Sequence, residues 1–390
     1  MAQWNRVPLI DYIELIGGGT PKTTVPEYWN GNIPWLSVKD FNNDKRYVYS
    51  TEKHISQSGF ENSPTKMLHK DDIIISARGT VGEIAMIPFD MAFNQSCYGI
   101  RASRGIDKPF LYYLLKNCIS QLKRMTHGSV FDTITRDTFA NIEVDIPDVE
   151  TQKRISSVLA DIDNKIEVNE AINDNLQQQL FSLYENMATA SPCLKEYTLS
   201  NLCDFQEGYV NPPQTHPEYF DGEVKWLRAV DINESFIIET SRTLTKAGFE
   251  SAKKSALLFE PNTIAISKSG TIGRLGIIAD YMCGNRAVIN IAPHDTNMLA
   301  FIYCFLKSKQ REFPDMAVGS VQKNLYVSLL EPLSVSIPDN ESLTAFNAVG
   351  ASILGMIHNN CVENTDLANL RDTILPKLMS GEIDVSSVLL

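Results

Sequence analysis

The sequence predicts an α+β protein built from two copies of one unit, each a globular head followed by a long helix. Three observations carry this: a repeat at a constant spacing of 191 residues, short β-rich runs closed by glycine turns, and two long apolar seams of helical period. In the repeat, Pro26-Glu27-Tyr28 returns as Pro217-Glu218-Tyr219, and Trp35-Leu36 with Asp40 returns as Trp226-Leu227 with Asp231. Ser76-Ala77-Arg78-Gly79-Thr80-Val81-Gly82 is echoed by Ser267-Lys268-Ser269-Gly270-Thr271-Ile272-Gly273, Asn94 by Asn285, Gly128-Ser129 by Gly319-Ser320, and Ile146-Pro147 by Ile337-Pro338. No gap is needed anywhere, and chance matches do not hold one spacing from Pro26 to Pro147.

Within each head, β-rich runs such as 72–76 and 262–267 end in G-x-x-G turns and resume at 84–87 and 275–278. Helices are expected over 109–125 and 298–313, whose apolar residues fall on one helical face. The heads end at Pro147-Asp148 and Pro338-Asp339, where an X-Pro boundary followed by an acidic residue suits a helix start. The organisation is therefore a first head over 1–148, a central helix over 149–190, a second head over 191–339, and a C-terminal helix and tail over 340–390.

The central helix carries Ile155, Leu159, Ile162, Ile166, Asn169, Asn173, Leu176, Leu180, Leu183 and Met187 at alternating spacings of four and three, a heptad seam. The same positions in the second copy are Phe346, Gly350, Ile353, Ile357, Asn360, Asn364, Leu367, Arg371, Ile374 and Leu378. Duplicated units tend to pack about a two-fold axis, which makes such a helix pair antiparallel. That arrangement sets Asn169 against Asn364 and Asn173 against Asn360, with Leu159 against Ile374; Arg371, opposite Ile162, breaks the apolar seam. Buried asparagines of this kind fix register at some cost in stability. Apolar residues off the seam, such as Val158, Val168, Phe181 and Tyr184, are available either to a partner or to packing within the chain.

The composition is that of a globular protein, 43% hydrophobic and 21% charged, with no signal-peptide core at the start and no run of about 18 apolar residues. A cytoplasmic location is the expectation. Seven cysteines, none in a C-x-x-C pair, favour neither a disulfide framework nor a zinc site. The formal charge of -12 argues against a uniformly basic nucleic-acid binder, but its distribution is uneven. Residues 1–148 carry 16 basic and 17 acidic side chains and 196–340 carry 13 and 17, leaving the long-helix segments 6 and 13 between them. The heads are close enough to neutral to present a basic face.

The order and duplication of these motifs resemble the specificity subunits of type I restriction-modification systems. The resemblance covers nearly the whole chain: Gly17-Gly18-Gly19-Thr20-Pro21, Ile33-Pro34-Trp35-Leu36, Ser76 to Gly82, Ile146-Pro147 before a long helix, and the ending Leu378-Met379-Ser380-Gly381-Glu382-Ile383. It implies two target recognition domains, each reading half of a bipartite, asymmetric sequence in double-stranded DNA. It also implies that the helices set the unread spacer and dock two methylation subunits, with restriction subunits joining the full complex. The chain itself would be non-catalytic and bind no cofactor or metal, S-adenosylmethionine belonging to the methylation subunit and ATP and Mg to the restriction subunit. A related methylation-only system, a DNA-modifying enzyme and a protein scaffold are the alternatives.

Arginine or lysine suits guanine, and asparagine or glutamine suits adenine, through paired major-groove hydrogen bonds. On that chemistry the candidate DNA contacts are Arg78, Asn94 and Gln95 in the first head, and Lys268, Asn285, Arg286, Gln322, Lys323 and Asn324 in the second. Enzyme motifs fail where they matter. Asn211-Pro212-Pro213-Gln214 resembles the N-P-P-aromatic motif of amino-methyltransferases, but Gln214 replaces the stacking aromatic and no glycine-rich donor-binding turn precedes it. Pro147-Asp148 with Asp163-Asn164-Lys165 is a loose nuclease match whose second part lies in the heptad helix, and no phosphate-binding P-loop is present. The six histidines form no ligand set.

Overall fold

A computed structural model describes residues 4–41, 43–103, 105–126, 133–190, 195–320 and 322–388. The repeat element Gly128-Ser129 and Cys193 lie outside the described residues. The chain divides into two compact units, 1–165 with 367–390, and 166–366, so the division falls inside both long helices, Val149–Ala190 and Asn340–Met379. Each unit therefore holds one head, part of the central helix and part of the C-terminal helix. The α+β class predicted from the repeat is the class found.

In the first unit, Ile13–Gly17, Cys97–Ala102, Ile73–Ser76 and Ile84–Met86 form an antiparallel sheet in that spatial order. Its inner strand reads Ile-Ile-Ile-Ser and is buried throughout, because side chains alternate between two faces and both faces are covered. Ile73 and Ile75 enter a core with Phe110, Tyr113 and Leu122 of the helix Lys108–Thr126 and with Ile155, Leu159, Leu375 and Leu378 of the long helices. Ile74 points the other way, to Leu36, Phe41, Leu68 and Phe93. There a second sheet lies in the order Lys53–Ile55, Trp29–Leu36, Met91–Phe93, Met67–Leu68, its only parallel pairing being Trp35-Leu36 with Ala92-Phe93. A separate antiparallel pair, Asn5–Pro8 with Glu143–Ile146, brings the start of the head to its end.

The second unit repeats this plan. Cys203–Glu207, Val288–Pro293, Ile264–Ser267 and Leu275–Ile278 form the antiparallel sheet, extended by Phe236–Ile237 lying parallel on its edge. Ile264 and Ile266 face one core and Ala265 the other, as their counterparts do. The second sheet is Thr243–Leu244, Phe220–Leu227, Met282–Gly284, Leu258–Phe259. The helix expected over 298–313 is instead Leu299–Lys309 followed by a short turn at Phe313–Met316, since Pro314 cannot continue the first helix's hydrogen bonding. It packs tightly on the C-terminal helix: a Cβ on Gly350 would stand 2.6 Å from the Ala300 Cβ.

Both long helices start where expected, with Asp148 and Asp339 as caps accepting from the backbone N–H of Thr151 (2.9 Å) and Ser342 (2.8 Å). The buried stripe departs from a strict heptad. On the central helix it runs Ile155, Leu159, Asp163 and, further on, Leu180, Tyr184, so Asp163 takes the place expected of Ile162, and Leu183 is 42% exposed. Steps of four replace the alternation because these ends pack against a globular head as well as a helix, which widens the buried face. Tyr184, expected off the seam, is buried with its ring against Phe301 and Phe346, whereas Val168 is exposed. Among the described residues no helix is long and apolar enough to cross a membrane.

Candidate nucleic-acid interface

The duplicated Ser-x-x-Gly-Thr-x-Gly loops are built by the same hydrogen bonds in both units. Ser76 Oγ donates to the Thr80 carbonyl (2.5 Å) and accepts from the Glu83 N–H (2.8 Å); Ser267 Oγ does the same with Thr271 (2.5 Å) and Arg274 (2.8 Å). The N–H groups of Ala77 and Lys268 donate to Ser96 and Ala287, and those of Gly82 and Gly273 to Ser76 and Ser267. At the tips, Gly79 and Gly270 have φ of 80° and 76°, and a Cβ there would meet nothing within 4 Å. Left-handed backbone in open space is what lets a loop present bare backbone to a phosphate.

Beside each loop runs a second fixed turn. The Asn94 N–H donates to the Leu36 carbonyl (3.0 Å) and that of Asn285 to Leu227 (2.9 Å), while the asparagine Oδ1 atoms accept from Ser96 (3.1 Å) and Ala287 (3.0 Å) N–H groups. Their carboxamide oxygens are thus already used, leaving the amide N–H groups to a ligand. Trp35 and Trp226 are buried and donate indole N–H bonds to the carbonyls of Gly19 (3.0 Å) and Val210 (2.7 Å), so they pin the preceding loops rather than offer a stacking surface.

In the first unit these parts enclose a cleft of about 450 Å³, lined among others by Ser37, Lys39, Lys53, Arg78 and Asn94. Arg78 is exposed and its side chain makes no hydrogen bond or ion pair with the described residues. Gln95 is exposed and accepts from the Thr20 hydroxyl. The structure thus brings Arg78 and Asn94 to one opening.

In the second unit the candidates separate into two kinds. Lys268 is largely buried: its ammonium lies 2.9 Å from a Glu207 carboxylate oxygen and 4.8 Å from the Tyr326 ring centroid. Its neighbour across the chain is the turn bearing the other candidates, tied to it by the Leu325 N–H donating to the Lys268 carbonyl (2.9 Å). In that turn Val318 and Asn324 exchange backbone hydrogen bonds, and Asn324 Nδ2 closes onto the Gln322 carbonyl (3.1 Å). Gln322 and Lys323 project exposed at its tip. Arg286 is exposed beside a separate cleft of about 580 Å³, with Tyr209, Asn211 and Lys253.

The sequence reading passed over two arginines of this unit. Arg228 lies 5.6 Å over the Trp226 ring and Arg242 lies 4.2 Å over the Phe220 ring, the two rings being 5.9 Å apart. Arg242 also donates to Gln214 Oε1 (3.0 Å), so the Asn-Pro-Pro-Gln segment serves as a partner for an arginine. The signal was available in the spacing: Arg228 follows the repeated Trp-Leu pair where the first copy has Ser37.

Among the helix asparagines, Asn169 Nδ2 donates to Asn364 Oδ1 (2.8 Å) and Glu363 Oε2 (2.7 Å), and Asn360 Nδ2 donates to Asn173 Oδ1 (2.8 Å). The pairing order is antiparallel within the second unit, and Asn169 and Asn173 are buried. In the first unit Arg371 makes a buried ion pair with Asp163 (2.9 Å), whose other oxygen accepts from the Tyr113 hydroxyl (2.6 Å). The loose nuclease match at Asp163 is thereby an ion-paired packing element. No group of three or more His, Cys, Asp or Glu side chains suited to a metal ion occurs among the described residues.

The family model described as the type I restriction modification DNA specificity domain matches residues 1–178 and again 194–365. The type I restriction enzyme MjaIX specificity subunit of Methanocaldococcus jannaschii is 26% identical over 410 residues, covering 99% of this chain and 94% of that one. The type I restriction enzyme HindI specificity subunit of Haemophilus influenzae is 22% identical, covering 70% of this chain and 77% of its own length. In fold, the chain resembles the crystal structure of the S subunit of a type I restriction-modification system from M. genitalium, with a TM-score of 0.53, 17% identity, and coverage of 97% and 96%. With two matches to one domain model falling on its two structural repeats, the chain belongs to the type I restriction-modification DNA specificity family.

Proposed function

We propose that the chain is the DNA-recognition subunit of a type I restriction-modification complex, each head reading one half of a bipartite, asymmetric target in double-stranded DNA. The carrying observation is the pairing of an identical hydrogen-bonded loop scaffold with different side chains at its rim: Ser37, Arg78 and Gln95 in one head stand where Arg228, Ser269 and Arg286 stand in the other. One scaffold with two rims suits two different half-sites. Phosphate contacts position a reader and base contacts specify sequence, so the glycine tips serve the first task and the rim side chains the second.

The long helices set the spacing between half-sites and dock two methylation subunits, with restriction subunits completing the assembly. The exposed Val168 and Ile172 on the central helix and Val349 and Met356 on the C-terminal helix suit such docking. Chemistry belongs to those partners: S-adenosylmethionine to the methylation subunit, ATP and Mg to the restriction subunit, all working on DNA in the cytoplasm. The test is methylome sequencing of cells expressing this chain with its cognate methylation subunit. One new bipartite motif with modified adenine is expected; absence of any new motif refutes the reading.

A further inference from the structure

We propose that Arg228 reads a guanine edge for the second head, and that the two heads carry their reading arginine at different positions of one repeated scaffold, Arg78 in the first and Arg228 in the second. The inference rests on the DNA-reading function proposed above and adds the residues and the base. In the first head Ser37, Arg78 on the glycine loop and Asn94 in the turn that binds the Leu36 carbonyl line one cleft. The backbone bonds that hold these three segments recur in the second head, so Arg228, Ser269 and Asn285 occupy the corresponding places. Even the local brace recurs: the N–H groups of Ser37 and Arg228 donate to Asp40 and Asp231 carboxylates at 2.7 and 2.8 Å. The arginine and the serine have exchanged positions on the repeated scaffold.

Arg228 is held as a base reader needs to be. Its guanidinium lies over the Trp226 ring, Nη2 donates to Ser241 Oγ (2.5 Å), and Ser241 is itself fixed by its backbone N–H donating to Asp231 Oδ1 (2.9 Å). Nε is buried and ion-paired with Asp231 Oδ2 at 3.7 Å without a hydrogen bond, and Nη1 makes no hydrogen bond with the described residues. The side chain stays 26% exposed. A guanidinium held in a fixed plane presents paired N–H donors, the pattern that guanine O6 and N7 accept, and the salt dependence of binding separates this from the bidentate phosphate contact the same fork can make. Lys268, by contrast, is spent on Glu207 and, through its carbonyl, on the Leu325 N–H.

The experiment is methylome sequencing of cells carrying the chain and its cognate methylation subunit, with Arg228→Ala, Arg228→Lys, Arg228→Gln and Arg78→Ala, alongside DNA binding by the purified complexes at several salt concentrations. Arg228→Ala should make one guanine position of one half-site degenerate, with discrimination there falling on the order of 10- to 100-fold, and leave the other half intact. Arg78→Ala should act on the other half. Arg228→Lys keeps the charge but lacks the fork and should relax the same position, while Arg228→Gln should shift it toward adenine. The two conservative variants decide the matter if the alanine variant does not fold. An unchanged motif in Arg228→Lys, or an even loss of affinity across sequences with the salt slope reduced by about one, makes Arg228 a phosphate contact and overturns the proposal. If the wild-type complex yields no motif at all, the functional reading itself falls, which is a separate outcome.

Discussion

The ion pair between Asp163 and Arg371 makes a quantitative prediction, because the protein contains its own apolar control. Both side chains are 5% exposed, and Tyr113 completes the layer through its hydroxyl, which burial and the nearby Asp163 carboxylate hold protonated, raising its pKa well above the usual tyrosine value. The equivalent positions in the second unit are Leu354, Leu180 and Cys304, all buried in one apolar core. The same geometry is thus satisfied once by charge and once by hydrocarbon. Removing one charge breaks the buried pair: Arg371→Leu takes the ion-pair partner from the Asp163 carboxylate, and Asp163→Leu leaves the guanidinium with Asp44 and Asp372 alone on the exposed side. Each should cost about 3 to 5 kcal/mol.

Replacing both charges by leucine removes the stranded partner, and the remaining penalty is the Tyr113 hydroxyl donor, about 1 to 3 kcal/mol. The triple variant with Tyr113→Phe should return to within about 1 kcal/mol of wild type, since the lost Asp44 and Asp372 carboxylates are solvent-exposed and return to water. Global unfolding of two units is not two-state, so the assay is hydrogen exchange of the first unit's helices, Lys108–Thr126 and residues 149–165, with denaturant unfolding in support. Protection should fall steeply in either single variant and recover in the triple. Equal loss in single and triple variants would mean that the charges stabilise the layer in their own right, and the reasoning would be wrong.

Three further outcomes follow from particular contacts. Asp148 and Asp339 have pKa values lowered first by the backbone N–H bonds from Thr151 and Ser342 and then by their hydroxyls; a depressed folded value means the caps contribute fully above the unfolded value near ~4 and lose their effect as pH falls through the lower folded value. Hydrogen exchange at 149–153 and 340–344 should therefore quicken, after correction for intrinsic rate, only at acid pH, and Asp148→Ala with Asp339→Ala should abolish that dependence; a transition near neutrality contradicts it. Burial pushes the thiols of Cys97, Cys203, Cys283 and Cys304 up to about 12 and that of Cys118 to about 11, so mass-spectrometric mapping after iodoacetamide at pH 8 should find Cys361 modified ahead of these five. Early labelling of Cys97 would count against the core it shares with Leu36, Leu68 and Phe93, and early labelling of Cys283 against the packing of the second unit's second sheet. Gly79→Ala and Gly270→Ala meet open space but adopt left-handed backbone, so each should cost about 1 kcal/mol through φ alone, and a core-sized loss of about 3 kcal/mol would show that the loop tips are packed.

The duplication made most of the fold legible, since each element of one head supports its partner in the other, as with Ile73–Ser76 and Ile264–Ser267. Period alone misjudged the ends of the long helices. A seam read as one helix facing one helix assigns Ile162 and Leu183 inward, but there the helix faces a helix and a head together, and Asp163 and Tyr184 turn in. The polar identity of Asp163 also concealed it, because an acidic residue is expected outside unless its partner is known, and Arg371 lies 208 positions away.

The rim was less legible than the scaffold for a physical reason. Ser76, Asn94, Trp35 and their repeats announce themselves because the same backbone groups must be satisfied in both copies, and a residue type that satisfies them recurs at a fixed spacing. A rim side chain is not fixed by those shared backbone groups and differs between the copies, so it leaves no such mark: Arg228 is held by Ser241, Asp231 and the Trp226 ring, while its counterpart is Ser37. Reading by residue type therefore placed Lys268 beside Arg286 as equals, although one ammonium is held by Glu207 and the other cation is free of the described residues. The informative positions are those where the scaffold repeats and the side chain does not: Ser37 against Arg228, and Arg78 against Ser269. Divergence at a point of shared backbone geometry, rather than residue type alone, is what separates a reading side chain from a supporting one in this chain.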